Sequence, residues 1–255
     1  MVKKLVVSVG LALLAIVPLR ADVKYTMHME ARMAAGVGND PMSQMAGGML
    51  TQMFPAGGID QFVVSGAKGT RTEQKQAFAN MKAGTVTLMS ADGSMAILDP
   101  TTKTYWKQAA IGTEAAAALA GISPEVKVAK RGDFQTINGM KAEHLTLTMK
   151  MAIPGVDPSQ LPPGMMPDIT MTYDVWLTDA VKVSSSVSSL SASMLKQFGM
   201  SNVKELSDGR MMLKGVITMF GVEITMTTAG FSNETAAPEL FEIPKDYKEV
   251  PSPIR

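Results

Sequence analysis

Four stretches of this chain alternate strictly between apolar and polar residues, and that period of two constrains its fold more than any other feature. In the first, Val23, Tyr25, Met27, Met29, Ala31 and Met33 fall on one side and Lys24, Thr26, His28, Glu30 and Arg32 on the other. The second sets Leu145, Leu147, Met149 and Met151 against His144, Thr146, Thr148 and Lys150. Ile169, Met171, Tyr173, Val175 and Leu177 form a third, and Val222, Ile224 and Met226 a fourth. Successive side chains of an extended chain point to opposite faces, so each stretch is predicted to be a strand with one buried face.

The segments between them carry turn signals. Asp92-Gly93, Asn138-Gly139 and Asp208-Gly209 tolerate the positive φ of tight hairpin turns, so neighbouring strands are predicted to pair antiparallel. Three segments have helical spacing instead. Met42, Met45, Met49, Leu50, Met53 and Phe54 share one stripe, with Asp40-Pro41 to start a helix and Pro55 and Gly57 to stop it. Gly47 and Gly48 weaken that helix by about 1 kcal/mol each relative to alanine. Glu114 to Ala120, between Thr113 and Gly121, is the second, and Val187, Leu190, Met194, Leu195 and Phe198 mark the third. The loop from Pro154 to Pro167 contains five prolines and ends in the apolar tip Gly164-Met165-Met166. One-faced strands and one-faced helices bury each other most simply if the sheet curls and the helices cover its concave side. The expected class is therefore mainly β: a curled antiparallel sheet, an unclosed half-barrel, with two or three helices over the concave face.

The first 21 residues have the layout of a secretory signal peptide: Lys3 and Lys4, an apolar run from Leu5 to Leu19, and a small residue at Ala21. The run is shorter than the roughly 20 residues of a membrane span. Residues 1–21 are thus expected to be removed on export, to the periplasm, leaving residues 22–255 as a single soluble β-rich domain. Of the 24 basic residues, three (Lys3, Lys4 and Arg20) lie in the leader, which contains no acid, so 21 remain against 23 acidic. A near-neutral chain has no electrostatic footprint for nucleic acid. With no cysteine, disulfides, thiol nucleophiles and an N-terminal lipid anchor on cysteine are all ruled out.

Three stretches carry a family resemblance: Ile97-Leu98-Asp99-Pro100-Thr101-Thr102-Lys103-Thr104-Tyr105-Trp106, Ile137-Asn138-Gly139-Met140-Lys141-Ala142-Glu143, and Phe241-Glu242-Ile243-Pro244-Lys245-Asp246-Tyr247-Lys248-Glu249-Val250. Together they resemble an uncharacterised domain-of-unknown-function family of exported bacterial proteins related to the lipoprotein-carrier (LolA/LolB-like) superfamily. The resemblance implies an unclosed β-barrel with helices filling its mouth and, for true carriers, binding of acyl chains inside. It transfers no site residues, because none of a carrier's functional positions can be matched one by one.

Methionine is the other conspicuous feature, with 23 in the chain. Thioether sulfur suits Cu(I), and Met42, Met45, Met49 and Met53 would form a ladder of sulfurs on one helix. Met27 and Met29, by contrast, point away from His28, so these three do not make one metal site. Methionine is also an adaptable lining for apolar surfaces. Enzyme signals are thin: the two histidines, His28 and His144, are far apart, and Ser94 lies in no nucleophile elbow. Lys127, Lys130, Arg131 and Lys141 would either touch acidic lipid heads or a partner, or guard an edge strand against pairing.

These observations point to a non-catalytic protein without cofactor or bound metal that holds a hydrophobic ligand, whether lipid, acyl chain or lipoprotein. The predicted lining is Met27, Met29, Met45, Met49, Met53, Met149, Met171 and Met194. A structural or interaction protein with a filled core is the alternative, and a methionine-based Cu(I) binder a further one.

Overall fold

All four alternating stretches are strands. The computed structural model describes residues 22–34, 47–48, 54–78, 81–90, 94–108, 125–152, 168–183, 209–219 and 221–252. These contain β1 (Val23–Met33), β2 (Ile59–Gly66), β3 (Gly69–Gln74), β4 (Val86–Ser90), β5 (Met95–Asp99), β6 (Thr104–Gln108), β7 (Glu125–Ile137), β8 (Met140–Ala152), β9 (Asp168–Lys182), β10 (Arg210–Met219), β11 (Val222–Asn233) and the short β12 (Lys248–Glu249).

The twelve form one sheet in the order β12-β6-β5-β4-β3-β2-β1-β11-β10-β9-β8-β7. Two antiparallel meanders, β2–β6 and β7–β11, meet on the two sides of β1. The edges, β12 and β7, do not pair with each other, so the sheet is open.

It is also strongly curled. Asn138, in the turn between β7 and β8, donates a side-chain hydrogen bond to the carbonyl of Thr228 on β11. On a flat sheet β8 and β11 would stand about 14 Å apart, three strand spacings, so one bond spans that gap only if the sheet rolls over. Register shifts explain the rolling. They fall between Lys130 and Phe134 on β7, between Arg210 and Met211 and between Met212 and Lys214 on β10, and between Lys24 and Thr26 on β1. An unmatched residue in one strand bends it and tightens its twist.

Three apolar clusters result. The first joins Leu145, Leu147, Met149, Met171, Tyr173, Val175, Leu177 and Met226. The second, which includes Val23, Tyr25, Val63, Ala142, Val181 and Leu213, gathers residues from both meanders. In the third, Val86, Leu88, Ala96 and Leu98 lie under Ile243 and Tyr247 of the C-terminal segment.

The expected helices are not found as covering elements among the described residues, whose one named helical element is the 3-10 turn Pro238–Phe241. The second and third predicted helices, the proline-rich loop, the Asp92-Gly93 turn and residues 1–21 lie outside the described residues. Of the first predicted helix only Gly47, Gly48 and Phe54 are described, and both glycines have helical backbone. What closes one end of the curl in the described part is the β7–β8 hairpin tip, where Ile137 and Met140 pack on the second cluster.

Candidate functional site

The inner face of the larger meander is built row by row from the register. Ala31 stands opposite Ile224, Ile224 opposite Ile217, and Ile217 opposite Tyr173; Tyr173 faces Leu147, and Leu147 faces Val128. Directly opposed residues share a face, so this row crosses six strands without a charged side chain. The neighbouring row runs Met29, Met226, Gly215, Val175, Leu145. On the other side of the first row, on β8 and β9, Met149 and Met171 face each other, both buried. The face stays open at its rim: Met33 is 37% exposed and Val128 38%. Gly47 sits at that rim, where a Cβ on it would lie 3.4 Å from Met33 Sδ.

Gly215 lets the rows interlock. It has no side chain, and the Tyr173 ring lies across it, close enough that a Cβ would stand 3.0 Å from Tyr173 Cε2. Tyr173 donates its hydroxyl to Met212 Sδ at 2.8 Å. Burial pushes the Tyr173 and Tyr25 hydroxyls above the usual phenol range, because an anion there would lose its hydration. Both stay protonated donors.

Of the predicted lining, Met29 packs against the first cluster, which contains Met149 and Met171, while Met27 packs against the second. One continuous face therefore carries all four. Met45, Met49, Met53 and Met194 lie outside the described residues.

The outer face holds polar groupings that sequence reasoning missed. His28 Nδ1 and Asp60 Oδ1 are 2.7 Å apart, and Gln76 Nε2 donates to Asp60 Oδ2 at 3.1 Å. These two hydrogen bonds, led by that from His28, hold the Asp60 carboxyl below its usual range. His144 lies between Asp133 (3.1 Å from Nδ1) and Asp174 (2.9 Å from Nε2), stacked on Trp176 at 4.3 Å. Thr146 links this group to Arg131, whose Nε donates to its hydroxyl. Both ring nitrogens of His144 are thus engaged by different carboxylates. Among the described residues no group of three His, Asp or Glu is arranged to hold a metal ion. The missed signal was pairing register: Asp174 faces Thr146 and Trp176 faces His144 across β8 and β9.

Fold and face together define an open, rolled, mostly antiparallel sheet whose larger meander is apolar inside and polar and ion-paired outside, while the outer face of the smaller meander carries the third apolar cluster under the C-terminal segment. The chain belongs to the family described as a domain of unknown function (DUF4412), whose model matches residues 47–247. No curated protein matches it. Among solved structures, it is similar to an uncharacterized conserved protein from Thermus thermophilus, with 9% identity over 91% of this chain and 91% of that one and a TM-score of 0.44. It is also similar to LprF from Mycobacterium bovis, with 12% identity over 84% of this chain and 88% of that one and a TM-score of 0.32.

Proposed function

We propose that this is a non-catalytic, exported protein that holds a hydrophobic ligand, a lipid, an acyl chain or the acylated end of a lipoprotein, in the curl of its sheet. One observation carries the reading. The inner face presents an uncharged row six strands wide, and its rim at Met33 and Val128 remains open to solvent. Such a face gains about 25 cal/mol for each Å² of apolar surface it covers, and an acyl chain supplies that surface without any directional contact. The methionines suit ligands of varied shape, since their side chains are unbranched and polarisable. In this reading Gly47, which lies against Met33, stands at the open rim, and the leader read in residues 1–21 directs export.

A second reading has its own support. Leu145, Leu147 and Val175 are fully buried by the chain itself, as they would be in a filled core whose protein acts through its outer surface.

Native mass spectrometry of the protein purified gently from its compartment, before and after organic extraction, separates the two. An added mass that reads as a lipid and disappears on extraction is the expected result. A bare polypeptide mass, with no uptake of offered palmitate or phospholipid, would sink the ligand reading and leave the filled core.

A further inference from the structure

Two buried side-chain polar atoms among the described residues have no hydrogen-bond partner: Gln74 Oε1, an acceptor, and Trp106 Nε1, a donor. Register puts both on the inner face of the smaller meander. Met27 stands opposite Gln61 and Gln61 opposite Gln74. In the next row Tyr25 faces Val63, followed by Thr72, Thr87, Ile97 and Trp106. Opposed residues project from the same face, so Gln74 and Trp106 point to the same side of the sheet as Met27 and Met29. Gln74 is 3% exposed, and Gln61 beside it, 7% exposed, leaves the acceptor unmet. Buried polar groups are nearly always paired, and each exception asks for a cause.

Resting on the hydrophobic-ligand reading, we infer that this half of the inner face receives the ligand's polar end, an uncharged head group. The head carries a hydroxyl or amide N–H that donates to Gln74 Oε1; Trp106, three strands further along the same face on β6, offers a separate donor. The apolar rows of β8–β11 take its chain. Neither row through Gln74 and Trp106 contains a charged side chain. A carboxylate or phosphate head would lose its hydration there without meeting a cation, whereas a hydroxylated or amide head supplies the donor that Gln74 Oε1 lacks. Thr72 and Thr87, between the two, add hydroxyls that serve as either.

The test is calorimetric titration of the full chain with three probes that share one C16 acyl chain: 1-monopalmitoylglycerol, methyl palmitate and palmitate. The glycerol ester is expected to bind about tenfold more tightly than the methyl ester, the difference one added hydrogen bond makes, and palmitate no more tightly than the methyl ester. Gln74→Leu should bring the two esters within about twofold of each other. Equal binding of both esters by the unaltered protein would overturn the inference, assigning the two atoms to trapped water, yet keep the ligand reading. Binding of none of the three would remove both. Because that comparison uses the unaltered chain, it decides even where Gln74→Leu fails to fold.

Discussion

Single residues set how closely the rows of the inner face interlock, and Gly215 is the clearest case. A Cβ at this position would lie 3.0 Å from Met212 Sδ, 3.0 Å from Tyr173 Cε2 and 3.1 Å from the Tyr173 hydroxyl oxygen. The thioether can swing aside, but the ring is fixed in a cluster with Leu147, Val175 and Leu177. Gly215→Ala is therefore expected to lose about 1–3 kcal/mol of stability, the usual cost of overfilling a packed core, as read from urea denaturation. In a Tyr173→Leu background the same substitution should cost less, since the ring it displaces is gone; an equal cost in both backgrounds would rule the ring out as the cause. Asp60 gives a prediction with a pH sign. Its carboxyl is lowered from 3.8 by hydrogen bonds from His28 and Gln76. A lowered folded value stabilises above the ordinary one, and that stabilisation disappears as pH falls through the lowered value. The pair is half-exposed, so Asp60→Asn should cost only about 0–1 kcal/mol near neutrality. Melting curves should show that gap closing below 3.8, and a gap that persists or widens in acid would contradict the assignment.

At the scale of elements, Asn138 ties local turn chemistry to the curl. Asn138 and Gly139 have φ of 51° and 76°, the left-handed pair that a tight hairpin needs, and the Asn138 amide then reaches Thr228 on β11. Asn138→Gly keeps the conformation and loses the bond, about 0.5–1.5 kcal/mol; Asn138→Ala also meets the left-handed strain, about 1–2 kcal/mol more. If denaturation found the two variants equal, the turn would not be setting the cost. The hairpin was legible in the sequence because asparagine-glycine between alternating strands is a local signal. So were β1, β8, β9 and β11, whose apolar positions recur every second residue. The turn from Asp99 to Thr104, between β5 and β6, has local chemistry too: Asp99 Oδ1 accepts from the backbone N–H of Thr101 and Thr102, and Lys103 takes φ of 52°. What local pattern could not give was partnership between distant strands. Nothing near His144 in sequence announces Asp174, and nothing in β3 alone says that Gln74 faces Met27 through Gln61. Nor does alternation reveal register shifts, and those create the curl. Thr146, on the polar side of β8, is buried because Arg131 and Asp174 close over it.

Over the whole molecule, the smaller meander depends on a strap that arrives last in the chain. After β11 the C-terminal segment crosses β2–β6. Ala236 N donates to Asp22 Oδ2, Phe241 packs beside Gly66, and Ile243 and Tyr247 cover the third cluster. The strap ends as β12, parallel to β6, with Lys103 bonded to Asp246, and Lys107 and Tyr105 to Glu249. These contacts join two of the sequence motifs that carried the family resemblance, the turn after Asp99 and the stretch after Phe241. Those motifs therefore encode how the strap is buckled rather than a ligand site. The ion pairs are exposed and add little, so the holding force is apolar cover over Val86, Leu88, Ala96 and Leu98. Ile243→Ala and Tyr247→Ala are partly buried losses and should each cost roughly 1–2 kcal/mol, below the range for a fully buried side chain. Charge-removing changes at Lys103 and Asp246 should cost much less. Hydrogen exchange gives the sharper test. With the two apolar substitutions combined, amides of β4, β5 and β6 should lose protection well before those of β8, β9 and β10, whose core lies on the other side of β1. Uniform loss across all these strands would mean that the two meanders unfold as one unit and that the strap stabilises the whole sheet through β1, the strand on which both are built.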